Sequence, residues 1–450
     1  MKKIISFTTL LILVVCSSLP LLTSAQSSDK EYYGRPSYWR PYDQRGINVF
    51  ETSKAPDTMA FDGPRVRFGA GFTQQYQNLK HENPGALNNT TVNKLYPLQS
   101  GFMTAQANLF LDIQLADGIH LNVTSYMSSR HHNETWVKGG YIQFDKLPFK
   151  GEFWKKLMEV ATIKVGHMEV NYGDAHFRRS DGGQTIYNPF MDNLIVDDFA
   201  TEIGGEVYLQ KNGLFGMVGM TSGMIKGSID SAYKTAADVN IKRAPSIYLK
   251  GGIDKTIAEK LRVRVSGSYY HNSSNAGSGL TLFGGDRTGS NYQNVMENSK
   301  NGVNSASTAI AFSGRVNPGF SKKIDAIMLN GFLKVQGLEL FGTYETAKGR
   351  TKMESTDRKM NQLAGEVVYR FGKAENLYIG GRYNTTKMLL AGFINDIKVD
   401  RTSLAAGWFV TKNVLMKGEY VTQNYKDFPT SDYRSSGKFK GVVIEAVVGF

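Results

Sequence analysis

The chain has 450 residues, with 53 lysines and arginines against 40 aspartates and glutamates, a formal charge of +13. It carries 47 glycines, 12 prolines, 12% aromatics and a single cysteine, Cys16, at a mean hydropathy of −0.31. This excludes a disulfide framework and a cysteine zinc site. The basic residues are scattered rather than gathered in one patch, so no nucleic-acid partner is expected.

In chain order, Lys2 and Lys3 precede an apolar run from Ile4 to about Val15, and the small-residue site Thr23-Ser24-Ala25 follows. That is the form of a secretory signal peptide, residues 1–25, cut after Ala25. Val15 stands before Cys16 where a lipoprotein signal needs a small residue, so no lipid anchor is expected. Loss of Lys2 and Lys3 takes the formal +13 to +11. Beyond the signal no run of 18 apolar residues supports a helical span. Residues 26–63 form an N-terminal arm in which Tyr32, Tyr33, Tyr38, Trp39 and Tyr42 interleave with Arg35, Arg40 and Arg45.

From Arg65 onward the pattern is short alternating runs. RVRFGAGFTQQ comes first, then a polar stretch to about Ser100. FMTAQANLFLDIQL and HLNVTSYM flank the turn Ala116-Asp117-Gly118. A break at His131–Glu134 leads to TWVKGGYIQFD, and a turn around Pro148–Lys156 to VATIKVGHMEV. After residues 171–200 come TEIGGEVYLQ and LFGMVGMTSG around Lys211-Asn212-Gly213. SIYLKGGI and RVRVSGSYY pair across Asp254–Lys260, before a Ser/Asn/Gly-rich stretch at about 272–322. Three further pairs meet at Gly337, Gly372–Glu375 and Thr411-Lys412-Asn413, and GVVIEAVVGF ends the chain.

The pattern amounts to sixteen strands, within two, joined by seven short turns on one rim and eight longer loops on the other. Each strand has two unlike faces. Val66, Phe68, Ala70 and Phe72 oppose Arg65, Arg67 and Thr73, and Met416, Gly418 and Tyr420 oppose Lys417 and Glu419. Alternation alone also fits a soluble sandwich. The export signal, the loop asymmetry and the length favour an all-β, 16-stranded antiparallel transmembrane β-barrel over residues 64–450. Its apolar faces meet lipid, and its charges, which cost roughly 2–4 kcal/mol each in hydrocarbon, face a wet interior.

The last strand, with Val442, Ile444, Ala446, Val448 and the final Phe450 on one face, resembles the C-terminal assembly signal of bacterial outer-membrane barrels. The chain from residue 26 on resembles 16-stranded porins in length, spacing and loop asymmetry. Segments such as IKVGHMEVNYG and TEIGGEVYLQ, with basic lumen faces, resemble the phosphate-selective porin group more loosely. The resemblance implies an outer-membrane location, recognition by the barrel-insertion machinery, contact with outer-membrane lipids, and a homotrimer.

The third long loop, residues 171–200, holds His176, Arg178, Arg179 and Asp181 among unusually many apolar residues. One reading makes it a pore constriction with Arg178 and Arg179 at the narrowest point; the other makes it an outer loop braced by Arg–Asp pairs. The lumen-facing cations are Arg65, Arg67, Lys164, Lys250, Arg262, Arg264, Lys334, Arg370, Arg382 and Lys417. Against them stand Asp112, Glu169, Glu202, Glu206, Glu339, Glu366 and Glu419. The excess favours anions in a narrow pore, unless mutual salt bridges consume it. The adjacent His131 and His132 point opposite ways on an extended chain and make a poor chelate. His167 and Glu169, two apart on one strand, suit an ion pair better than a metal. No catalytic, metal or cofactor site is expected. The arm either folds into the barrel mouth, binds a periplasmic partner, or lies along the periplasmic rim.

The expected function is passive diffusion of small hydrophilic solutes, mildly biased to anions, phosphate-like ones included. The alternatives are a non-conducting barrel serving as surface adhesin or scaffold, and a hydrolase at the barrel rim.

Overall fold

A computed structural model describes residues 39–51, 54, 60–87, 93–103, 105–128, 135–180, 184–223, 234, 236, 239, 244–273, 280, 282–286, 291–298 and 312–450. The signal segment, Asp181 and the pair His131-His132 lie outside them. The strands are β1 (Arg65–Glu82), β2 (Gly101–Phe102), β3 (Gln106–Ala116), β4 (Ile119–Ser128), β5 (Thr135–Phe144) and β6 (Ala161–Glu169). Next come β7 (Thr201–Lys211), β8 (Leu214–Thr221), β9 (Ser246–Ala258), β10 (Leu261–Asn272), β11 (Lys323–Val335) and β12 (Leu338–Arg350). The series ends with β13 (Arg358–Phe371), β14 (Leu377–Met388), β15 (Ile397–Thr411), β16 (Val414–Lys426) and β17 (Lys438–Gly449).

Apart from the two-residue β2, which lies against β1, these form a closed antiparallel barrel of sixteen strands. The 18-residue β1 closes it: Arg65–Thr73 pair with β3, while Gly71–Glu82 pair with β17, from Gly71↔Gly449 to Glu82↔Lys438. This stagger is what strand tilt in a barrel requires, and it leaves no free edge. Beyond the ladder, the Ala70 and Phe450 amides each donate to the other's carbonyl, at 2.9 and 3.0 Å.

The two-rim asymmetry holds, with two boundary corrections. The expected turn Asp254–Lys260 is narrower, because β9 continues to Ala258. Asp254 pairs opposite Arg264 and binds the Arg262 guanidinium at 2.7 Å, so its charge serves the ladder rather than a turn. Within the connection from β5 to β6, Glu152–Met158 form a short helix that starts after Gly151.

The outward face is apolar: Val66, Phe68, Val265, Met416, Tyr420, Val442 and Ile444 are all exposed, as alternation predicts. Their neighbours Arg264, Lys417, Glu419, Val443 and Glu445 are buried in the lumen. Toward the long-loop end the lumen holds a packed cluster that includes Tyr172, Met191, Ile195, Val196, Tyr248, Tyr270, Tyr292 and Phe439. A buried Met, Ile or Val contributes roughly 1.5–3 kcal/mol, so this part of the interior is a packed core.

Candidate functional site

The loop between β6 and β7 lies inside the barrel, and the wall explains why. Lys417 on β16 donates to the carbonyls of Asn188 and Phe190 at 3.1 and 2.8 Å while pairing with Glu445 at 3.0 Å. Arg382 on β14 donates to Asp192 O at 2.6 Å, and Arg401 on β15 to Asn193 O at 2.7 Å. Loop amides answer in turn: Met191 N donates to Glu419, Ile195 N to Asn384 and Val196 N to Gln362. Buried backbone groups need such partners, and alternate wall residues supply them. Gly173, at φ +70, crosses so close to the wall that a Cβ there would collide with Met328 Sδ.

The described part of the N-terminal arm, residues 39–51, also enters the lumen. Asn48, at φ 57, donates to Glu339 at 2.6 Å and accepts from Arg178. Glu51 pairs with Lys250 at 2.9 Å and Arg264 at 2.7 Å, and Tyr42 donates to Asp112 at 2.9 Å. Arm and loop touch: Arg40 donates to Phe177 O at 2.9 Å, and the Tyr187 hydroxyl donates to Pro41 O.

Together arm and loop pack mostly against the wall from β9 to β17, with Tyr42 also reaching β3 and Asn171 reaching β7, and leave a cavity of about 230 Å³ beside β3–β7. Its lining runs on β6 from Thr162 to Glu169 and on β7 from Thr201 to Gln210, nearly the full length of both strands. Trp39, Tyr42 and Phe110 give it aromatic surface; Arg40, Arg67, Lys138, Lys164 and Arg179 line it together with Asp112, Glu169 and Glu206, with Arg67 beside Asp112 and Lys164 beside Glu206 in the ladder.

Most of the predicted lumen cations are occupied as anchors. Lys250 and Arg264 hold Asp174 and Glu51; Arg262 holds Asp254 and Asn48 O; Arg370 holds Glu339; Lys334 holds Glu375. Arg65 sits at the short-turn rim against Asp62. Of the ten, only Arg67 and Lys164 line the cavity, and Arg67 is paired with Asp112. Lys164 rests on the rings of Tyr141 and Tyr208, 5.2 and 5.0 Å from their centroids. It makes no ion pair with any described residue.

Of the loop residues, His176 and Arg179 line the cavity, whereas Arg178 is turned away into Glu366 (3.1 Å) and Glu339 (3.8 Å). Arg179 pairs with Asp197 at 2.7 Å, and Glu169 faces His176, not His167, at 3.3 Å. Burial raises the Asp174 carboxyl, but Lys250 and Arg264 together outweigh it and hold it well below the usual range. Burial likewise lowers the His176 imidazole, against the pull of Glu169. Sequence reading missed Lys138, because a register shift between Thr124 and Ser125 breaks the alternation that would have placed it. It also left open whether Trp39, Arg40 and Tyr42 enter the lumen, since nothing local fixes the path of the arm.

No protein-family model matches the chain, and no curated protein matches it. Among solved structures it is similar to OmpT, an outer membrane protein of Vibrio cholerae, in a form lacking loop L8. That likeness has a TM-score of 0.48 at 9% identity and covers 86% of this chain and 100% of that one. Salmonella typhi OmpF in complex with daunomycin gives 0.48 at 11%, covering 86% and 98%. Pseudomonas aeruginosa OpdL gives 0.42 at 11%, covering 86% and 98%. What the barrel does has to be read from its own lumen.

Proposed function

We propose that this chain is an outer-membrane porin in which the N-terminal arm and the inward loop, as paired constriction elements, narrow a 16-stranded barrel to one lateral channel. The observation that carries this reading is the cavity lined along nearly the whole of β6 and β7. At about 230 Å³ it suits small hydrophilic solutes. The anion bias rests on Lys164, a lining cation with no ion pair among the described residues, with Arg179 beside the passage. A cation in a narrow, low-dielectric passage lowers the barrier for anions. Phosphate-like anions fit that field, and a homotrimer is the assembly the porin resemblance implies.

The filled half of the lumen supports a second reading, a non-conducting barrel used as adhesin or scaffold. Planar-bilayer recording of the refolded protein under a KCl gradient separates the two. Discrete steps with a reversal potential on the chloride side support the porin. Silence from a barrel that still shows heat-modifiable gel migration sinks it in favour of the scaffold.

A further inference from the structure

On the outward face, above the apolar band, β11–β17 and β1 carry a row of lysines at the long-loop end. On β13 the outward residues run Phe371, Tyr369, Val367, Gly365 and Leu363 before Asn361 and Lys359; on β17 Val448, Ala446, Ile444 and Val442 precede Lys440 and Lys438. Nine strand-borne lysines belong to the row: Lys80, Lys323, Lys348, Lys359, Lys387, Lys398, Lys426, Lys438 and Lys440.

The cross-strand register sets several directly opposite one another: Lys348↔Lys359, Lys387↔Lys398, Lys398↔Lys426 and Lys80↔Lys440. Opposed like charges, their Cβ atoms about 4.5–5.5 Å apart, weaken a sheet. Carboxylates relieve part of the row. Asp400 pairs with Lys398 and Lys426, Asp396 with Lys387, Asp357 with Lys323 and Glu82 with Lys438. Lys348 with Lys359, and Lys80 with Lys440, are exposed and have no ion pair among the described residues.

We infer that these two lysine pairs are binding sites for the phosphate groups of a lipid in the leaflet on the long-loop side. Three observations converge on that partner. The pairs lie just above the surface that meets hydrocarbon, at the depth of headgroups. They face outward, away from the solute path. And two ammonium groups on adjacent strands match the near-double charge of a phosphate monoester, which relieves the repulsion that Asp325, opposite Lys348, and Glu82, near Lys440, answer only in part. The inference rests on the membrane reading of the barrel but not on conduction.

The test uses full-length refolded protein and native mass spectrometry with lipid A, a phosphorylated glycolipid, as probe and phosphatidylcholine as reference. The variant carries Lys348→Gln, Lys359→Gln, Lys80→Gln and Lys440→Gln. A control carries Lys211→Gln and Lys255→Gln at the opposite rim. The expected result is at least tenfold loss of lipid A retention in the variant alone, with its migration as a folded barrel unchanged. Equal retention by variant and wild type overturns the inference, as does an equal loss in the control. So does wild-type protein that holds phosphatidylcholine as well as lipid A.

Discussion

The Arg264 guanidinium on β10 grips the Asp174 carboxylate of the inward loop through two bonds, Nε to Oδ2 at 2.7 Å and Nη2 to Oδ1 at 2.8 Å. Lys250 reaches the same carboxylate at 2.8 Å, and Glu51 of the arm closes the group. Wall, loop and arm thus meet at one buried, charge-balanced knot. Removing one member of such a group leaves charge stranded in low dielectric, typically at a cost of about 3–5 kcal/mol. Asp174→Ala is expected to unseat the loop. Single-channel conductance should rise and become noisier, and the barrel should lose its folded gel migration at lower temperature. Unchanged conductance in a folded variant would remove the loop from the pore.

Lys164 tests the proposed selectivity. A unit charge at 4 Å acts with about 1 kcal/mol even in bulk water, a factor of roughly five. Lys164→Ala is expected to cut the chloride-to-potassium permeability ratio by about that factor, and Lys164→Glu to shift the reversal potential further toward potassium. Lys417→Met, at a buried anchor, should instead lower stability and affect selectivity only through loop release. Were Lys164→Glu to leave the reversal potential in place, the anion path would lie elsewhere.

Asn48 makes the arm testable. Its φ of 57 is a left-handed conformation, and its side chain joins Glu339 to Arg178. Glycine keeps the backbone geometry but loses both bonds, whereas alanine loses the bonds and strains the backbone as well. Both variants should expose the arm to protease, alanine more than glycine, since each buried bond partner left unsatisfied costs about 1–3 kcal/mol. Equal protection of all three proteins would show that other contacts hold the arm.

The carboxyls of the filling respond to pH with opposite signs. Burial raises Asp197 and Glu51, but Arg179 with Arg315, and Lys250 with Arg264, outweigh it and leave both below their ordinary values. With Asp174 they stabilise the fold above the ordinary carboxylate range, near about 4, and lose that contribution as pH falls through their lower folded values. Asp198 is the reverse: burial, and then Glu345, raise it well above its ordinary value. Its contribution is complete below the ordinary range and is lost as pH rises through the raised value. The loop should therefore stay seated at mildly acid pH and loosen as pH rises through the raised Asp198 value, read as conductance noise. Asp198→Asn should abolish that loosening; an identical pH profile in that variant would refute this assignment.

At the seam, Phe450 supplies two backbone bonds to Ala70 beyond the last paired residue of β17. Deleting Phe450 removes both, together with the exposed ring that resembles an assembly signal. Refolding into vesicles should slow modestly, whereas insertion in cells should fall much further. Equal losses in the two settings would reduce Phe450 to a closing residue.

Much of this was legible in one dimension. In a strand the side-chain period is two, so a single pass assigns Arg264, Lys417 and Glu419 inward and Val265, Met416 and Tyr420 outward, whatever the neighbours are. Where a ladder slips, as beside Thr124 and Ser125, the parity fails, and Lys138 goes with it.

The sequence by itself determined the closed barrel, its two unlike rims and the facing of its wall, because alternation and turn residues act over a few positions. Only the tertiary structure decided that Arg178 turns to Glu366 while Arg179 meets the cavity. It alone decided that the arm fills the lumen, and that most inward cations anchor the filling while Lys164 stays available. Those choices depend on contacts between residues hundreds of positions apart, such as Lys417 with Phe190 or Asn48 with Glu339. No local period encodes the path of a loop through the space that a barrel encloses.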